Sequence, residues 1–192
     1  MVSVHPPIVG FLGPERAEEL ASKGLFADDL EGLASAWRTN GQRWTSTVTR
    51  ARALAPEQLA QRVDGEWAFV ETLRHLIFVT DTWVGDVIEE STQGYHPWGL
   101  PPDFFAHAAG PLGLAVDATP AFDEVLAVRE ARSSHVAEVL DGLDPADLER
   151  TCVPREGQFL VVGALQAVVF EEWAHHEYAT RDLTTLEGDH GA

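Results

Sequence analysis

WAFVETLRHLIFVTDTWVGDVI, residues 67–88, is the stretch whose reading decides the fold. Its Val, Ile, Phe and Thr content would suit a strand. Its length does not, because strands seldom exceed about 10 residues. A helix is therefore predicted, and the flanking sequence agrees. On the N-terminal side, DDLEGLASAWRTNGQRWTSTVTRARAL carries Leu30, Leu33, Ala34, Trp37, Trp44 and Val48 at helical spacing, with Asp28 or Asp29 placed to cap it. Gly41 weakens that helix without breaking it. On the C-terminal side a third helix starts at Thr119 or Asp123. It carries Val125, Leu126, Val128, Val136, Val139 and Leu140, and ends near Gly142. A fourth is predicted from Val161 to Leu183. Four helices and no convincing strand pattern predict an all-α four-helix bundle.

The connections are unequal. PEQLAQRVDGEW joins the first two helices, with a turn at Asp64-Gly65, and a helical turn is expected after Pro145. Residues 91–120 are rich in proline and glycine and form a long crossover between helices two and three. Such a loop either travels the length of the bundle or covers a site. Residues 1–25 read as a partly irregular extension, with a short helix in PERAEELASKG, residues 26–186 as the bundle, and 187–192 as a flexible tail.

The chain has 192 residues, enough for one domain with a real core. With 31 acids against 13 bases its formal charge is -18, which argues against nucleic acid and anionic membranes as partners. The single cysteine, Cys152, excludes an internal disulfide and fits a reducing compartment. The first residues lack a basic start and a long apolar run, so neither a signal peptide nor a membrane span is expected, and the chain reads as cytoplasmic.

Most of the chemistry is concentrated in EEWAHHEYATRDL, residues 171–183. On a helical wheel Val161, Val162, Leu165, Val168, Val169, Ala179 and Leu183 form one face. Glu172 and His176, four apart, fall in its middle, whereas Glu171 and His175 fall at its edge or outside it and read as solvated bystanders. Polar groups inside an apolar stripe must be paired or bound to something. Glu172 and His176 are thus either two ligands of a metal or a buried hydrogen-bonded pair. His75, on the second helix, lies just off that helix's apolar face, and Asp81 and Asp86 follow it. Cys152 sits in a loop with no base beside it. Arg181 and Asp182 read as structural, since an arginine near a helix C-terminus is favourable in itself.

WAFVETLRHL (67–76) followed by EEWAHHEYATRDL resembles the DinB/YfiT-like superfamily of small metal-binding bundles. Trp67 and His75 have the spacing typical of its early helix, and His176 aligns with the second histidine of its late helix. The resemblance covers roughly residues 26–186. It implies a divalent ion held by His75, Glu172 and His176, with glutamate at a position where many members carry histidine. Two imidazoles and a carboxylate suit Zn, Ni, Mn or Fe(II). Trp67, Trp83 and Trp173 are candidates for the walls of a substrate site. Characterised relatives include transferases that use low-molecular-weight thiols. The resemblance therefore implies a thiol S-transferase, and composition favours mycothiol over bacillithiol. Alternatives are a metal-dependent hydrolase and a non-catalytic bundle, stress-related or small-molecule-binding, with a degenerate metal site. A homodimer is a further possibility.

Overall fold

The computed structural model describes residues 18, 22, 23, 27–91, 93–153 and 158–188. The helix expected in PERAEELASKG falls largely outside them.

Four long helical elements build the bundle, as predicted: α1 (Leu30–Ala51), α3 (Phe69–Thr80, continued by a π-helical segment Asp81–Ile88), α4 (Phe122–Gly142) and α5 (Val161–Gly188). A single helical turn, α2 (Pro56–Leu59), precedes α3. The Asp29 side chain accepts from the Gly32 N–H at 2.7 Å and caps α1. At the start of α3 the Glu71 carboxylate accepts from the Ala68 N–H at 2.9 Å. At 28 residues α5 is about 42 Å long and serves as the spine of the fold. It packs against α1 on one side and α3 on another, while α4 lies across α1 and α3.

Among the described residues two large apolar clusters fill the bundle, and a smaller one of Phe78, Ala109 and Leu114 lies under the long loop. One of the large clusters joins Leu33, Trp37, Val84, Val136, Leu165 and Val168. The other joins Trp44, Phe69, Leu73, Leu76, Val125 and Leu183. No helix among the described residues is long and apolar enough to cross a membrane.

Two local features go beyond the sequence reading. The helix expected to run unbroken to Ile88 reaches it, but widens into π geometry from Asp81, and just past its cap Glu90 takes a positive φ of 50°. A two-residue antiparallel ladder, β1 (Thr151–Cys152) with β2 (Phe159–Leu160), closes the loop before α5. The helical turn after Pro145 is a 3-10 turn, Pro145–Glu149.

The long connection is tied down along its length. Arg74, 4% exposed, donates to the carbonyls of Trp98 (2.9 Å), Ala115 (2.9 Å), Val116 (3.1 Å) and Ala118 (2.7 Å). The Leu100 N–H returns a bond to the Arg74 carbonyl at 3.1 Å. Burial pulls the Arg74 guanidinium below its ordinary pKa. The four carbonyl acceptors satisfy the charge without a carboxylate in direct contact.

Candidate metal centre

Three side chains from two helices converge beside this tethered loop. His75 comes from α3, and Glu171 and His175 from successive turns of α5. Each offers one ligand atom within 4.8 Å of the other two, and among the described residues this is the one such group. The Glu171 Oε2 lies 3.6 Å from His75 Nε2 and 3.2 Å from His175 Nδ1. Side-chain exposure rises from 7% at His75 to 15% at His175 and 29% at Glu171, so the cluster is sealed toward α3 and open toward Glu171.

The imidazole tautomers follow from their partners. His75 Nδ1 is 3.0 Å from the Leu100 carbonyl, and His175 Nδ1 is 3.0 Å from the Glu171 carbonyl. A carbonyl can only accept, so each Nδ1 carries the proton in the neutral ring and each Nε2 keeps a bare lone pair. This is how a histidine is prepared to bind a metal, with its second nitrogen fixed by an outer hydrogen bond. At His75 that nitrogen lies 3.6 Å from Glu171 Oε2, so either a proton on the ring or a cation held between the two satisfies both atoms. Burial alone would raise the Glu171 carboxyl, but hydrogen bonds and charge from His175 and His75 take it down to about 2. The donor set and its protonation therefore fit a divalent cation.

Aromatic rings frame the centre. Trp67 lies 4.5 Å from the His75 ring and stacks at 6.0 Å on His175, and the two imidazoles are 4.5 Å apart. Tyr178, 48% exposed, meets His175 edge-on at 6.0 Å on the open side. Trp83 and Trp173 are elsewhere. Trp83 packs edge-on against Phe159, and Trp173 packs with Phe170 and under the Lys23 ammonium.

Glu172 and His176, expected with His75, are engaged by other helices. Both are buried, as the wheel requires, at 1% and 7% exposure. Glu172 forms an ion pair with Arg129 of α4, itself buried. Burial pulls the Glu172 carboxyl up and Arg129 opposes it. His176 Nε2 meets the Thr47 hydroxyl of α1 at 2.9 Å, and burial pushes this imidazole below its ordinary pKa. The polar pair in the centre of the stripe thus faces α1 and α4. The pair at its edge faces α3 and His75. Because α5 is buried against several neighbours at once, the centre of its apolar stripe does not identify the face that meets His75. The available signal was the half-buried edge itself, since a site that admits substrate cannot sit in the middle of a core.

The remaining polar candidates have structural partners. Asp81 accepts from Arg132 Nε at 2.5 Å and from the His96 N–H at 2.7 Å, so it orients the loop and not His75. Arg181 bridges Glu66 and Asp182, each at 2.7 Å. Cys152 is fully buried, and burial raises its thiol, which leaves it a poor nucleophile.

The model of the DinB superfamily matches residues 41–179, well over half of the chain, and the chain belongs to that superfamily. The match includes every residue of the cluster. No curated protein and no solved structure matches the chain.

Proposed function

We propose that the protein is a divalent-metal-dependent enzyme whose ion would be held by His75, Glu171 and His175, and that it joins a low-molecular-weight thiol through its sulfur to an electrophilic carbon, the thiol proton passing to solvent and the carbon's leaving group departing with the electron pair of the bond that breaks. The observation that carries this reading is the convergence of two imidazoles, each with Nδ1 facing a carbonyl, on the Glu171 carboxylate, whose Oε2 lies 3.6 Å from His75 Nε2 and 3.2 Å from His175 Nδ1. Bound there, the ion supplies a Lewis acid that favours the thiolate form of a thiol at neutral pH.

The chain's own residues account for the rest. Leu100, whose N–H donates to the Arg74 backbone carbonyl, fixes the His75 ring through its own carbonyl. Trp67 covers both imidazoles and keeps water from that side. Glu171 brings a single negative charge, so the donor set only partly neutralises a divalent ion and leaves it electrophilic. The open side toward Glu171 and Tyr178 is where substrate enters.

Metal analysis of the purified chain tests the ligand set. One equivalent of ion is expected, lost in His75→Ala, Glu171→Ala and His175→Ala and retained in folded His176→Ala. Retention in His175→Ala together with loss in His176→Ala would restore the alternative set of His75, Glu172 and His176. Assay of the loaded protein with mycothiol and bacillithiol against electrophile panels tests the transfer. Absence of product from every pair, with metal bound, overturns the transferase reading and leaves the metal site standing.

A further inference from the structure

A second site lies on the neighbouring flank of α5, where Glu172 points. Between α1 and α4 the bundle opens into a cleft of about 320 Å³. Small-molecule pockets begin at about this size. None of His75, Glu171 and His175 lines it. Trp37, Asn40 and Trp44 form the α1 wall, Leu126 and Arg129 the α4 wall, and Leu73 and Glu172 close it from α3 and α5.

The polar groups here are incompletely satisfied. Arg129 and Glu172 bind each other, yet among the described residues Arg129 Nε and Glu172 Oε1 have no hydrogen-bond partner although both are buried. Asn40 donates to the Val169 carbonyl at 3.0 Å, and its Oδ1 has no partner among the described residues. Buried polar atoms are nearly always paired, so three in one place need an explanation. Together they offer one donor and two acceptors. The charges along the cleft cancel, Arg52 and Arg129 against Glu130 and Glu172, so neither an anion nor a cation is favoured. The indoles of Trp37 and Trp44, with Leu73 and Leu126, suit a flat apolar body. A carboxamide carries an acceptor and a donor on one plane, the complement of Arg129 Nε and Glu172 Oε1.

We propose that this cleft binds a small neutral molecule bearing a carboxamide-type donor–acceptor pair on a flat apolar body, at a site separate from the metal centre. Gly41 supplies the means of testing it. It lines the cleft, and a Cβ added there meets nothing within 4 Å, so a larger side chain enters the space without a clash at its base.

The probe is benzamide, titrated into the metal-loaded full chain and followed by tryptophan fluorescence and by the indole N–H resonances of Trp37 and Trp44. Saturable binding is expected, with benzoate and benzylamine at least tenfold weaker. Gly41→Phe should weaken benzamide at least tenfold at unchanged metal content. The double variant Arg129→Met/Glu172→Met should do the same while keeping the fold. If circular dichroism shows Gly41→Phe unfolded, Ser133→Phe carries the same expectation from the opposite wall. His75→Ala should leave benzamide affinity within twofold. Absence of saturation would overturn the proposal, as would equal affinity for the charged analogues or full binding in the cleft-filling variant. Loss of binding in His75→Ala would place the probe at the metal centre and overturn it as well.

Discussion

Glu171 and Glu172 are adjacent in the chain, yet one carboxylate faces a pair of imidazoles and the other a guanidinium on a different helix. Their substitutions should behave differently. Glu172→Ala leaves the buried Arg129 without a counter-charge, so a loss of about 3–5 kcal/mol is expected in denaturant unfolding. The apolar pair Arg129→Met/Glu172→Met should recover most of it, because replacing both partners removes the uncompensated charge. Glu171→Ala disturbs a half-exposed group, and its main effect should be on metal content.

At the scale of elements, the helices were legible because their signals are local. Apolar residues at helical spacing, Asp29 before Leu30 and Gly142 at the end of α4 fixed most boundaries to within a few residues. Asp29→Ala should cost about 1 kcal/mol, read as a shift in unfolding midpoint at constant slope. The α3 cap also carries a pH signature. Burial raises the Glu71 carboxyl, but hydrogen bonds from Arg62 and the Ala68 N–H more than offset it and hold it below its usual range. A depressed carboxylate contributes stability that is present above its unfolded value of 4.5 and is lost as pH falls below it. Glu71→Gln should therefore flatten the acid limb of the stability curve. The π-helical segment and the role of the long loop were not legible, because both depend on distant partners. Nothing in residues 91–120 announces that four of their carbonyls meet Arg74. Arg74→Met should leave those carbonyls unpaired, accelerate amide exchange across residues 98–118 and lower metal affinity through His75. Partial legibility of the metal centre has the same origin: His75 and the Glu-His spacing were visible, but the choice between two adjacent pairs depended on how α5 sits against α1, α3 and α4.

Across the whole molecule, a formal charge of -18 on 192 residues makes self-repulsion a general cost of folding. Raising ionic strength from about 0.01 M to about 0.15 M shortens the screening length to about 8 Å and should raise the Tm, despite weakening surface ion pairs such as Arg62–Glu71. The buried Arg129–Glu172 pair is largely outside this screening. Its placement has a consequence for how the fold selects itself. Glu-Glu-x-x-His-His reads almost the same when displaced by one position, so α5 turned by about 100° would present Glu172 and His176 to His75 as a counterfeit of the same ligand set. That rotated state would satisfy a metal nearly as well and would strand the guanidinium of Arg129 in an apolar interior. The Arg129–Glu172 pair is met only in the observed orientation of α5, so an Arg129→Met chain is expected to distinguish less sharply between the two ways of bringing a Glu-His pair to His75.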